Sequence, residues 1–142
     1  MFLGRHDHNL DGKGRLAVPS RFREELADGI VLTRGIDRCI TVYPLTAWDV
    51  LASRVRALPI ADSDARQFRR FVFAEAVALR LDGQGRILIP PTLRSYAAID
   101  RETIVVGVHD AIEIWSPSFW GEVNDALDAS GDRIATRLAE LM

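Results

Sequence analysis

The sequence predicts a mainly β fold with short helices, built from two copies of one unit that pack around a pseudo-twofold axis. The first observation is that residues 8–19 recur as residues 79–90, with the Asp, both Gly, Arg and Pro displaced by 71 positions. The second is that short apolar runs alternate with turn residues in both halves, as is typical of strands. The third is that each half has too few apolar residues to be expected to fold alone. We therefore expect one intertwined barrel with both repeated turns on the same side.

Size and composition predict a single globular domain, with 142 residues of which 48% are apolar and 27% charged. Cys39 is the only cysteine, so neither an internal disulfide nor a cysteine-rich zinc site is expected, and a cytoplasmic location is the default. No apolar run is long enough to span a membrane, and the N-terminus turns polar too early for a signal peptide. The net charge of −2 conceals a balance of +3 in residues 1–23 and −6 in residues 100–142, which indicates a polarised surface.

The first repeat begins with a predicted edge strand, Leu3 to Leu10, followed by a tight turn at residues 11–14 in which the glycines tolerate positive φ. Residues 15–18 read as a strand, which Pro19 ends because proline cannot continue the ladder. Ser20 is expected to cap a short helix.

The rest of the first half predicts a strand pair, a helix and a connecting segment. Residues 30–33 and 39–43 are expected to pair, and a helix opened by Pro44 and closed by Pro59, with Thr46 in a capping box, should follow. Residues 59–63 form a hinge before a helix that begins near Asp64 and carries three arginines on one side: Arg66, Arg69 and Arg70.

The second half repeats this order, with one residue inserted near Ile99. The expected elements are strand 77–81, turn 82–85, strand 86–89, helix 92–97, strands 103–106 and 111–115, helix 117–127 and a final helix within 132–142. The predicted organisation is a first repeat with its closing helix (1–58), a connecting hinge and helix (59–76), a second repeat with its closing helix (77–128) and a C-terminal tail (129–142).

The repeated turn places Asp11 four residues before Arg15, and Asp82 four residues before Arg86. Across a tight turn each carboxylate can fix the rotamer of its arginine. A surface ion pair is too weak to explain a doubled motif by stability. A held guanidinium, by contrast, suits phosphate or the major-groove edge of guanine. An inherited hairpin corner without function is the alternative.

The run from Asp11 to Arg23, its partner from Asp82 to Pro90 and the opening Met1-Phe2-Leu3-Gly4 resemble the MraZ family, over almost the whole chain. The resemblance implies a transcriptional regulator with two SpoVT-AbrB domains in an AbrB-like swapped-hairpin, double-psi-type β-barrel with amphipathic helices. It also implies a homo-oligomeric ring that binds short G-containing tandem boxes upstream of its own division and cell-wall operon, mainly as a repressor, in the cytoplasm and nucleoid.

Carried over by position, Arg15 and Arg86 match the family's motif arginines, and Lys13 matches the basic residue within the first motif. The second motif has Gln84 there, so unequal contributions are expected. Arg5 is added for its charge and proximity. Asp11, Asp82, Gly14 and Gly85 are expected to support the turns. Double-stranded DNA and further copies of the chain are the expected partners; no cofactor, metal, membrane or small-molecule substrate is expected.

An enzyme is the main alternative class. His6-Asp7-His8 has metal-ligand residue types, yet two ligands and an ambiguous third make a poor site. Cys39 with His109 could suggest a thiol nucleophile, but Cys39 lies in an apolar strand pattern.

A pure interaction protein is the third class, since a partner surface could be formed by six aromatic residues: Trp48, Trp115, Trp120, Phe68, Phe71 and Phe73. Their spacing favours core or ring-interface positions.

Overall fold

The computed structural model describes residues 1–142 as eight strands, four α-helices and two 3-10 helices. The strands are β1 (Phe2–Asn9), β2 (Arg15–Ala17), β3 (Ile30–Arg34), β4 (Ile40–Pro44), β5 (Val77–Leu79), β6 (Arg86–Leu88), β7 (Glu102–His109) and β8 (Ile112–Trp115). The α-helices are α1 (Leu45–Arg56), α2 (Ser63–Phe73), α3 (Pro91–Tyr96) and α4 (Pro117–Ala139), and the 3-10 helices are Ser20–Phe22 and Glu24–Leu26. The predicted class, mainly β with short helices, is confirmed.

The strand order carries the signature of a swapped duplication. Six antiparallel strands form one sheet in the order β1-β7-β8-β4-β3-β5, and β2 pairs with β6 separately. The strands β1 to β4 of the first repeat correspond to β5 to β8 of the second. If each strand is replaced by its counterpart, the same order results, read in reverse. The first strand of each repeat therefore pairs with the third strand of the other, so the repeats are intertwined. β1 and β5 are the two edges, and the hydrogen bonding of this sheet does not close into a barrel.

The strand register locates the pseudo-twofold axis. Leu16 lies opposite Ile87 in the β2–β6 pair, and Thr41 lies opposite Glu113 in the β4–β8 pair. In both pairs the two residues occupy equivalent positions of the two repeats. The axis therefore passes through both pairs, which places the β2–β6 ribbon on the axis.

The register also corrects the predicted position of the insertion. Leu79 lies opposite Ile30, and the equivalent pair in the other repeat is His8 opposite Thr103. Since Leu79 is the counterpart of His8, Thr103 is the counterpart of Ile30, so equivalent residues of β3 and β7 are 73 positions apart. Equivalent residues of β4 and β8 are 72 positions apart. Two residues are thus gained before β7 and one is lost in the β7–β8 turn, instead of a single insertion near Ile99. Two compensating loop changes look like one insertion when only the strand sequences are compared.

One hydrophobic core of 18 buried residues is shared by both repeats. It includes the axial pair Leu16 and Ile87, which a separated repeat would leave exposed, and burying such side chains contributes about 1.5–3 kcal/mol each. On the outer side of the sheet, Trp115 is buried and packs against Trp120 of α4. The aromatic residues on α1 and α2 are only half-buried and pack in two pairs, Trp48 with Phe73 and Phe68 with Phe71. The second pair borders an open groove.

Helix termini differ from the sequence prediction in three places. Ser20 and Thr46 do not cap helices, because Pro19, directly before Ser20, and Pro44, two residues before Thr46, occupy the cap positions, and no side chain bonds there. Asp62 caps α2, for which no cap was predicted, and accepts from two backbone N–H groups. A separate final helix is not formed, since α4 continues unbroken to Ala139. No helix is long and apolar enough to traverse a bilayer.

Candidate nucleic-acid interface

The first repeated turn is held by the carboxylate of Asp11. Its Oδ1 accepts the backbone N–H groups of Lys13 at 2.9 Å and Arg15 at 3.0 Å, and its Oδ2 accepts Arg15 Nε at 2.7 Å. Backbone bonds from Gly14 N to Asp11 O and from Asp11 N to Arg15 O close the turn. Three donors on one carboxylate fix both the loop and the direction in which the guanidinium points.

The second turn repeats this geometry. Asp82 Oδ1 accepts the N–H groups of Gln84 and Arg86 at 2.9 Å each, and Oδ2 accepts Arg86 Nε at 2.9 Å. Gly14 and Gly85 have φ of 76° and 74°, in the left-handed region where a side chain is strained. The sequence therefore places glycine at the position in each turn that requires it.

The fold brings the two turns together. Arg86 Nη1 lies 3.9 Å from Asp11 Oδ2, so Asp11 contacts the arginines of both motifs. Each turn is also tied to the other repeat, because Val18 N donates to Gly85 O at 3.0 Å and Ile89 N to Gly14 O at 2.9 Å. The expectation that both turns lie on the same side is met by these contacts.

Hydrogen bonding lowers the pKa of both aspartates. The backbone N–H of Arg15, followed by its side chain and the N–H of Lys13, lowers the pKa of Asp11 to about 2. The backbone N–H of Arg86 likewise lowers the pKa of Asp82. Both carboxylates are ionised at neutral pH and hold the adjacent guanidinium groups, while 29% of the Arg15 side chain and 27% of the Arg86 side chain stay exposed.

The other predicted contact residues are placed differently. Lys13 is exposed at the tip of the first turn, where Gln84 stands in the second. Arg5 is exposed in the middle of β1 and lies 3.7 Å from Asp7. At about 3.3 Å per strand residue, it is roughly 13 Å along the strand from Asn9, so the fold does not bring it to the turns.

Sequence reasoning assigned no role to two arginines that pack against the turns, Arg23 and Arg94. Arg94 of α3 lies against Gly14, and Arg23, just after the first 3-10 helix, lies against Gly85. Each arginine thus contacts the turn of the opposite repeat. The signal was available, because Arg23 and Arg94 are separated by the same 71 positions as the motifs. Arg101 was also unassigned, although its carbonyl accepts from Leu10 N at 2.7 Å beside the first turn.

The residues considered for catalysis lie elsewhere. His6 Nε2 is 2.7 Å from Arg21, and its ring packs on the edge of Phe22. Burial raises the pKa of the Cys39 thiol to about 12, which keeps it protonated at neutral pH, so it lacks the thiolate that a nucleophile needs. No group of three His, Cys, Asp or Glu side chains is placed to hold a metal ion.

The chain matches the family model described as "MraZ protein, putative antitoxin-like" over residues 1–71 and again over 72–141, once for each repeat. The chain belongs to the MraZ family. It is 58% identical over 142 residues to "Transcriptional regulator MraZ" of Thermomicrobium roseum, covering all of both chains. Its identity to the proteins of the same name is 51% in Alkaliphilus metalliredigens and 46% in Roseiflexus castenholzii, over 141 residues and 99% of each chain. In this MraZ-family chain, the two matches to the family model and the swapped strand order both reflect one internal duplication.

Proposed function

We propose that this protein is a sequence-specific DNA-binding transcriptional regulator whose paired Asp-Gly-x-Gly-Arg turns contact promoter DNA. The observation that carries the proposal is the pair of adjacent arginines, Arg15 and Arg86, each oriented by a carboxylate four residues before it. Fixed guanidinium forks suit the O6 and N7 atoms of guanine, where a good bidentate contact discriminates by about 1–3 kcal/mol. The printed name of the relatives, transcriptional regulator, supports the same class.

The two turns contribute unequally in this proposal. Lys13 adds positive charge at the first turn, whereas Gln84 stands at the corresponding position of the second. Arg86 is also close to two carboxylates, while Arg15 is bonded to one. The first turn therefore offers more free positive charge, and we assign base reading to Arg15 with Lys13. Arg86 and Arg5 contact phosphate, which positions the protein without reading sequence.

A ring of several copies turns these few contacts into tight binding. One chain offers only a few basic groups, and joining several sites can raise affinity by about 10²–10⁴. Two surfaces of the chain support assembly because neither is covered within one copy. One is an open groove of about 770 Å³ bordered by α1 and α2. The other is the second half of α4, in which no residue is buried. We assign the groove to the α4 of a second copy.

Apolar exposure favours this pairing. Leu127 and Leu138 of α4 are exposed, as is Leu141 just after the helix. The α1–α2 side of the groove presents apolar side chains as well: Val50, Leu51, Phe68 and Phe71. The charged lining of the groove is mixed, with Arg34 and Arg54 beside four carboxylates, so apolar burial and not charge carries the pairing.

By its family, the protein acts mainly as a repressor in the cytoplasm and nucleoid, at tandem G-containing boxes upstream of its own division and cell-wall operon. The test is binding of the purified protein to DNA from upstream of its own gene, against a shuffled fragment of equal length, at several salt concentrations. We expect preference for the upstream fragment and a steep fall of affinity with salt. Equal binding to both fragments contradicts the proposal.

A further inference from the structure

Arg94 packs face-on against the first turn from the opposite repeat. A Cβ placed on Gly14 would lie 3.0, 3.1 and 3.3 Å from the Cζ, Nη1 and Nη2 atoms of Arg94. These nearly equal distances mean that the flat side of the guanidinium covers the glycine, and a Cβ at this position would push it back by a few tenths of an ångström. Arg23 covers Gly85 of the second turn from closer range, but with its Nε, Cζ and Cδ atoms and not with the Cζ, Nη1 and Nη2 atoms that Arg94 uses.

The two arginines differ in how they are anchored. Arg23 Nε donates to the carbonyl of Val18 at 2.9 Å. Arg94 Nε is buried from solvent and has no acceptor. An unpartnered buried donor costs free energy, so hydrogen bonding does not explain why arginine stands at position 94. The guanidinium of Arg94 instead contributes its planar contact with Gly14.

That contact leads directly to the arginine to which we assign base reading. Gly14 immediately precedes Arg15, its N–H donates to Asp11 O at 3.0 Å, and its carbonyl accepts from Ile89 N at 2.9 Å. A displacement of Gly14 therefore moves the backbone from which Arg15 projects and disturbs the carboxylate that holds it. Recognition by a fixed side chain is sensitive to errors of about 0.5 Å in its supporting residues.

We propose that Arg94 is a positioning residue for Arg15. The face of its guanidinium fixes the first turn, so that residue 94 of one repeat sets the base specificity of the other without touching DNA. This inference rests on the proposed contact of Arg15 with DNA. It goes beyond that contact in assigning specificity to a residue outside both motifs.

The test uses Arg94→Lys, which keeps the charge and removes the plane, with Arg23→Lys as the matched control on the second turn. We expect Arg94→Lys to lower the ratio of affinities for the upstream and shuffled fragments by about tenfold, the scale of one lost bidentate contact. Affinity for the shuffled fragment and the salt slope should stay as in the parent, and Arg23→Lys should change the ratio less.

An unchanged ratio of affinities in Arg94→Lys overturns the proposal. An equal loss on both fragments with a salt slope reduced by about one marks Arg94 as a phosphate contact and also overturns it.

Amide hydrogen exchange tests the positioning without DNA. In Arg94→Lys we expect faster exchange at Gly14 and unchanged exchange at Gly85, with the reverse in Arg23→Lys. The amides of β4 report whether the core is intact. Unchanged exchange at Gly14 overturns the positioning role whatever the DNA result. Faster exchange at Gly14, combined with a parent protein that shows no DNA preference, retains the contact and overturns the proposed function instead.

Discussion

Arg86 Nη1 lies 3.9 Å from Asp11 Oδ2, although the two residues belong to different repeats. Asp11 thus contacts both motif arginines, whereas Asp82 contacts only Arg86. The duplicated turns are therefore one electrostatic unit with unequal halves. Because of this asymmetry, substituting an Asp, Gly or Arg of the first turn should have a different effect from substituting its counterpart in the second turn.

Replacing Asp11 by Asn should impair DNA recognition more than replacing Asp82 by Asn. Both changes keep the side-chain shape and remove a charge, but only the first releases Arg15 and also changes the surroundings of Arg86. We expect a larger loss of preference for the upstream fragment in Asp11→Asn, measured by competition binding. A greater loss in Asp82→Asn contradicts the assignment of base reading to the first turn.

Substitution of Gly14 by Ala should destabilise the protein. A left-handed backbone costs an L-residue roughly 1–2 kcal/mol, and the new Cβ would also press on the guanidinium of Arg94. Gly12→Ala is the matched control, because no atom lies within 4 Å of its Cβ position. Denaturant unfolding should show a drop of this size in Gly14→Ala alone. Equal unfolding free energies for the two variants disagree with the turn geometry.

Acid should weaken the fold through the two motif aspartates. The pKa of Asp11 is about 2 in the folded protein, below its ordinary value of 3.8. Its stabilising contribution is therefore complete above about pH 4 and is lost as the pH falls towards 2, because protonation then favours the unfolded chain. Between pH 5 and 2, the unfolding free energy of Asp11→Asn should fall less steeply than that of the parent. Parallel curves for the two proteins rule out this contribution.

Deletion of residues 129–142 should abolish the proposed ring assembly and leave the folded chain stable. No residue of α4 is buried within one chain, so its second half contributes little to the core. Light scattering should show the mass of the deletion variant falling to that of one chain, with an unchanged circular dichroism melt after correction for concentration. Retention of the full assembly mass shows that another surface holds the copies together.

The repeat, the strand pattern and the paired turns were predictable because they are written in local residue types. Asp11, Gly14 and Arg15 are residue types that favour a tight turn, and the 71-residue displacement of the motif shows the duplication. The exchange of first strands between repeats was implied only by the family resemblance, since two unswapped repeats would be equally symmetric, and the exact register was not predictable. Two loop changes of opposite sign between β6 and β8 cancel in part and are separated only by the pairing of Ile30 with Leu79.

The packing of Arg94 on Gly14 could not be predicted from either residue alone. It depends on α3 of one repeat reaching the turn of the other, which is a property of the assembled fold. The predicted caps at Ser20 and Thr46 were wrong for a local reason, since a proline one or two residues earlier already occupies the cap position. The role of Arg5 stays a prediction, and the sequence did not show its distance from the turns, because residues close together along an extended strand are not close in space.

The most direct test of DNA reading by the first turn compares Arg15→Ala with the parent on the upstream and shuffled fragments at fixed salt, with oligomer mass measured on the same samples. We predict that the preference for the upstream fragment is lost in Arg15→Ala while the mass is unchanged. Equal preference in the variant and the parent, at equal mass, contradicts the claim that the first turn reads DNA.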